Sequence, residues 1–203
     1  MRLEPPSYNE KGISLHEAAH CVFSLLFHTT FFPSGTETTP HEDGSWTGAV
    51  HFHDTVPLMP DRATTPPHVW RDAVANAWAD LPGRYAGAAA ARVYTGDSLD
   101  AKAIRNDPGC TFGDESAARE IAEHFWPEQH REAILDAAAE LAGQLVQVPA
   151  VWNAISAVAD QITRAYGRQI TTPLIEATVR QYVPQAITAP RQAWAVGLAL
   201  GQS

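Results

Sequence analysis

Cysteine is scarce: Cys21 and Cys110 are the only two in 203 residues, and neither belongs to a C-x-x-C pair. That excludes a disulfide scaffold and gives no sign of a cysteine-bound zinc site. Cys21 directly follows His20 and reads as a small apolar residue of a helix. Basic residues are also few. Fourteen Lys and Arg stand against 23 Asp and Glu, a formal charge of −9. This balance argues against non-specific nucleic-acid binding and against an anionic membrane surface. Met1 to Pro6 lacks the apolar core of a signal peptide, and no apolar run approaches the ~20 residues needed to span a bilayer. A cytoplasmic protein without a membrane partner is expected. No G-x-x-x-x-G-K-[ST] run is present, so no ATPase of the P-loop type is expected from this chain. The hydrophobic fraction of 45 % suffices for one sizeable core, and a single domain over residues 1–203 is the expectation.

What stands out instead is His16-Glu17-Ala18-Ala19-His20, an H-E-x-x-H run. Residues four apart lie one turn above each other on a helix, so both imidazoles can face one metal ion. Glu17 lies about 100° around the helix, within reach of a water held by that metal. Two neutral imidazoles and an open position suit Zn²⁺, with Glu17 to take the water's proton. Hydrolysis of peptide bonds is the leading reading. A chain of this composition contains such a run by chance about 2 % of the time. The flanks, Ile13, Leu15, Val22, Phe23, Leu25, Leu26 and Phe27, are those of a buried helix. Ionisable groups there are costly unless paired or bound to metal. A structural alternative is a capping box with Ser14 as N-cap and Glu17 reaching back to it. The segment Ser7-Tyr8-Asn9-Glu10 offers an earlier cap that would free Glu17.

The rest of the chain reads as mainly α with a small β element. Helix one is expected from about Glu10 to His28. Residues 29–68 lack a helical period, and within them residues 45–53 alternate as a strand after the turn Glu42-Asp43-Gly44. A partner strand falls in Thr29–Ser34. Thr65 caps a helix opening at Pro66-Pro67 and running to about Asp80. Pro82-Gly83 then punctuates, and a small-residue helix follows from Arg84 to Tyr94, able to approach helix one closely; Thr95-Gly96 ends it. Residues 97–110 read as a loop. Further helices are expected over 114–126, 128–147, 150–167 and 172–183. The core covers about 10–183, with a tail over 184–203. His51 and His53 share a strand face and read as solvent-facing; His28 and His41 carry no functional case. The six tryptophans read as packing residues.

A catalytic zinc site needs one more protein ligand. Asp97, Asp100, Asp114, Glu115, Glu120, Glu123 and His124 are all available, and spacing does not choose among them. Four segments in order resemble the peptidase domain of the FtsH-type AAA proteases. They are the H-E-A-x-H run, Thr47-Gly48-Ala49-Val50 in the place of a G-x-[ALV] strand, Gly83-Arg84-Tyr85-Ala86 at a G-R-x-A helix start, and Gly109-Cys110 followed by Asp114, Ala118 and Ile121-Ala122. The resemblance covers about residues 10–183. It implies a helical zincin-like peptidase fold, Asp114 as third ligand beside His16 and His20, and Glu17 as general base. Asp114 stands one residue further from Gly109 than in the usual pattern. The Glu pair that often follows G-R-x-A is replaced by Gly87-Ala88.

The resulting expectation is an ATP-independent zinc metallopeptidase acting on peptides or unfolded chains. Such a substrate would pair in extended form with Thr47, Gly48, Ala49 and Val50. With no ATPase module in the chain, any unfolding would have to come from a separate partner protein; a homo-oligomer is the other assembly expected. The rival expectation is a non-enzymatic, zinc-stabilised binding or regulatory domain derived from a peptidase fold. Retention of Glu17 separates the two, because a structural zinc site needs no base.

Overall fold

A computed structural model describes residues 9–27, 33–42, 44–52, 59–111, 113–166 and 168–183. The expected tail over 184–203, with His28 and His53, lies outside the described residues. The first helix, α1, runs Glu10–Phe27, and 15 of its 18 residues are buried. Asn9 caps it: its Oδ1 accepts from the Gly12 N–H at 2.8 Å. The cap therefore lies in the earlier of the two expected segments, and Glu17 is interior to the helix. Ser14 is occupied elsewhere, its Oγ accepting from Thr163 Oγ1 at 3.1 Å.

Two strands follow, β1 (Pro33–Pro40) and β2 (Trp46–Phe52), paired antiparallel with Thr36 opposite Val50 and Thr38 opposite Gly48. The partner strand thus extends past Ser34 to Pro40; positions 29–32 of the expected one lie outside the described residues. Gly44 closes the hairpin with φ +83°, a conformation that favours glycine. A two-residue strand, β3 (Ile170–Thr171), pairs with Gly35 and Thr36 and gives the order β2-β1-β3. Nothing in the local sequence of Ile170–Thr171 marks a strand; only proximity to β1 creates it. β2 is consequently an edge strand among the described residues.

The next helix, α2, is continuous over Pro67–Thr95. This corrects the expected break at Pro82-Gly83 and places the G-R-x-A stretch in a helix interior. Pro82 removes one backbone donor, a cost of ~3 kcal/mol in an exposed helix. Here the segment from Trp78 to Ala91 is nearly all buried, and that burial outweighs local propensity. Thr65 makes no cap; Pro66 holds that position without a side-chain bond. The far end stops at Gly96, φ +77°, as expected. The supposed loop over 97–110 contains two short helices, α3 (Ala101–Arg105) and α4 (Pro108–Thr111). Asp100 caps α3 through Ala103 N–H at 2.8 Å. The remaining helices are α5 (Asp114–Phe125), α6 (Glu128–Val146), α7 (Pro149–Ala165) and α8 (Thr172–Tyr182).

Helix α1 lies at the centre, packed against α2, α7, α8 and the β1–β2 hairpin. The small residues Ala86 to Ala91 of α2 permit the close α1–α2 contact that the sequence suggested. Buried Leu15, Val22, Phe23, Leu81, Ile134 and Ile155 belong to one apolar cluster with them. Of the tryptophans, Trp78 and Trp126 are buried, and Trp70 and Trp152 are partly buried against that cluster. Tyr166 ends α7 with φ 42°, the one non-glycine residue at positive φ among the described residues. That backbone costs a tyrosine on the order of 1–2 kcal/mol relative to the right-handed form. Among the described residues no single helix is long and apolar enough to cross a membrane.

Candidate metal centre

Helix α1 presents His16 and His20 on one face, and the first residue of α5, Asp114, meets them. His20 Nε2 lies 3.0 Å from His16 Nε2. Asp114 Oδ2 is 3.5 Å from His16 Nε2 and 3.3 Å from His20 Nε2. A tetrahedral ion with bonds of about 2.1 Å holds its ligand atoms about 3.4 Å apart. The three atoms therefore fit one tetrahedral face, and the buried His16–His20–Asp114 group could hold a metal ion. His16 and His20 are buried and Asp114 is half-buried, so each of these polar groups needs a polar partner or a shared ion.

Supporting contacts fix the ligands. His20 Nδ1–H donates to the Gly83 carbonyl at 2.8 Å, which leaves the Nε2 lone pair for the metal. The His16 ring lies over Gly87: a Cβ there would come within 2.5 Å of its Nε2. Gly87, with no side chain, thus gives that ring its seat. Glu115, next to Asp114, accepts from Tyr85 Oη at 2.8 Å and from Arg105 Nη2 at 2.7 Å, and pairs with Arg119 Nε at 2.8 Å. Arg105 is itself buried and also holds Asp136 at 2.5 Å and Glu132 at 3.0 Å. These bonds tie the first turn of α5 to α2, α3 and α6, and so hold Asp114 in place. The sequence showed no sign of this anchor, because its members are scattered over more than 50 positions.

No protein-family model, curated protein or solved structure matches the chain. Function must therefore be read from the side chains themselves. Of the seven third-ligand alternatives, the structure brings only Asp114 to the two histidines. Glu115 is spent on Tyr85 and the two arginines, and Asp100 caps α3. Asp97 accepts from Thr95 Oγ1 at 2.6 Å, and His124 Nε2 meets the Pro60 carbonyl at 3.0 Å. Glu120 and Glu123 are exposed.

Glu17 is 6 % exposed and faces β2. A Cβ on Gly48 would collide with its carboxylate, Oε1 lying 2.5 Å away. Gly48 is thereby required by close approach, not by its φ. The Ala49 carbonyl accepts from Thr36 Oγ1 at 3.1 Å and so points toward β1. Alternation then turns the backbone groups of Gly48 and Val50 to the other edge of β2. The strand stretch Thr47–Val50 accordingly offers edge hydrogen bonds at two of its four residues. His51 lies in β2 opposite Gly35, and His41 Nε2 contacts Thr47 Oγ1 at 3.0 Å.

Electrostatics predict how metal uptake depends on pH. Burial alone would lower the His20 pKa, but the Asp114 carboxylate beside it more than offsets this and holds it at about 9. Burial would raise Asp114, but the two imidazoles hold it well below the usual carboxylate range. A metal ligand must be deprotonated. Binding near pH 7.5 should therefore release about one proton from His20, seen by calorimetry in buffers of different ionisation enthalpy. Without metal, the raised His20 pKa adds stability that is complete below about 6.5 and lost as pH rises through about 9. The stabilisation that metal adds over the metal-free protein should grow across that same window, while the metal-bound protein itself stays level.

The glycines give a further check. A Cβ on Gly83 meets nothing within 4 Å. Gly83→Ala should stabilise the protein by ~1 kcal/mol through helix propensity and leave metal affinity unchanged, as measured by thermal melting and chelator competition.

Proposed function

We propose that this chain is a zinc-dependent peptidase of FtsH-like type, cleaving peptides or unfolded chains without ATP. The observation that carries the reading is the His16–His20–Asp114 group with buried Glu17 beside it on the same helix. Two imidazoles and one carboxylate at tetrahedral spacing suit zinc. Structural zinc sites are closed by four protein ligands, whereas three leave a position for water. Among the described residues no fourth His, Cys, Asp or Glu joins the group. This favours a catalytic site over a zinc staple.

Zinc, when bound, supplies Lewis acidity that lowers the pKa of a water from about 15.7 to about 7 and polarises a carbonyl. His16, His20 and Asp114 would hold it. Glu17 accepts the water's proton at its carboxylate and passes it to the leaving amine. The Gly83 carbonyl keeps His20 in the tautomer that binds through Nε2. Gly48 and Val50 offer backbone donors and acceptors to an extended chain laid along β2. Main-chain pairing of that kind recognises a backbone whatever its sequence.

The test is metal content by mass spectrometry, with cleavage of an unfolded protein, for wild type and Asp114→Ala. About one zinc per chain in wild type, with zinc and cleavage both lost in the variant, is expected. A wild type that takes up no supplied zinc would overturn the reading.

A further inference from the structure

We infer that Trp46 and Tyr166 form a subsite for a large apolar side chain of the substrate, two residues from the bond cleaved. The inference rests on the peptidase reading above. Trp46 and Gly48 are two apart on β2 and so share one face of the strand. That face looks at α1, because a Cβ on Gly48 would meet Glu17. Along the strand the two positions are separated by about 7 Å.

Tyr166 arrives from the opposite side. Lys11 pairs with Asp160, and Ser14 meets Thr163, so α1 and α7 advance together by three residues per step. The next residue of that series is Tyr166, just past the end of α7. Its ring stands edge-on to Trp46, with centroids 5.7 Å apart and planes at 75°. Yet the Tyr166 side chain is no part of the core, for the residue is 65 % exposed. It also holds a left-handed backbone that glycine would adopt without strain. Tyr166 is thus an exposed aromatic held at positive φ and edge-on to Trp46, on the strand whose Gly48 meets Glu17; an apolar side chain bound there would cover both rings.

An extended peptide repeats its side chains on one face every second residue, the same spacing as the strand it pairs with. With its reacting peptide bond beside Glu17 and Gly48, it would set the side chain two residues away against Trp46 and Tyr166. A phenylalanine or leucine fills such a cleft; aspartate or lysine there would be desolvated without a partner.

The experiment uses the zinc-loaded full chain and a set of peptides varied at one position at a time. Cleavage sites are mapped by mass spectrometry. Binding of fluorescent peptides to a Glu17→Gln variant is followed by anisotropy. The expected result is a preference of about tenfold or more for Phe or Leu over Ala, at one position two residues from the cleaved bond, carried by KM. Trp46→Thr and Tyr166→Gly should each shrink that preference to about twofold. Tyr166→Gly should melt no lower than wild type, whereas a purely structural tyrosine would melt lower on replacement. Cleavage without any preference at that position, or a preference that survives both variants, overturns the subsite. Failure to cleave any peptide, while binding to Glu17→Gln still favours Phe, overturns the peptidase reading and leaves the subsite standing. No preference in binding either overturns both.

Discussion

Glu17→Gln is expected to keep one zinc per chain and to lower peptide turnover about 10²–10⁴-fold. Glutamine has almost the same shape and still fits between α1 and Gly48, so neither the fold nor the three ligand atoms should move. What it loses is the ability to accept a proton. The geometry sharpens the expectation. The Glu17 carboxylate is held against β2 at a position where only glycine leaves room, so a water cannot easily take over its place. Turnover measured at saturating peptide, with zinc content measured on the same sample, decides the matter. Full activity in the variant would show that Glu17 is not the base. Loss of zinc together with activity would mean that the substitution had disturbed the ligands, and the comparison would not concern catalysis.

Gly87→Ala should weaken zinc binding about 10–100-fold while the helix around it persists. The added methyl would lie 2.5 to 2.6 Å from Nε2, Cδ2 and Cε1 of the His16 ring, closer than real Cβ contacts allow. Backbone cannot yield on the other side, because α1 and α2 are packed together by small residues. The ring must therefore swing, and its Nε2 leaves the plane shared with His20 and Asp114. Competition with a zinc chelator measures the loss, and circular dichroism checks the fold. Gly83→Ala, one turn earlier on the same helix, is the matched control. Equal affinities for the two variants would show that the His16 ring does not rest on α2.

The two glycine substitutions are chemically identical, and sequence alone would rank both as mildly favourable in a helix. Only the neighbour across the helix pair separates them. The same contrast runs through the whole molecule. His16, Glu17 and His20 were legible because helical spacing is local: three residues within one turn define their own geometry. The apolar flanks announced that α1 is buried, and the glycines at positions 44 and 96 marked a turn and a helix end through their backbone freedom. Helix existence after residue 113 was legible from apolar periodicity for the same reason.

What the sequence by itself determined, then, is the mainly helical chain, the buried α1 and the histidine pair on one helix face with its adjacent carboxylate. What only the tertiary structure decided is every choice that depends on a distant partner. Seven acidic or histidine residues competed for the third position. Asp114 alone reaches the histidines, because Tyr85, Arg105 and Arg119 hold Glu115 and with it the first turn of α5. Pro82 reads locally as a break, but α2 passes through it because burial on several sides outweighs one missing hydrogen bond. β3 exists because Ile170 and Thr171 lie beside β1. Glu17 meets Gly48 across 31 positions of sequence, and Trp46 meets Tyr166 across 120. Spacing along a chain fixes which face a side chain takes; which group stands opposite it is set by packing, a sum over contacts that no local pattern contains.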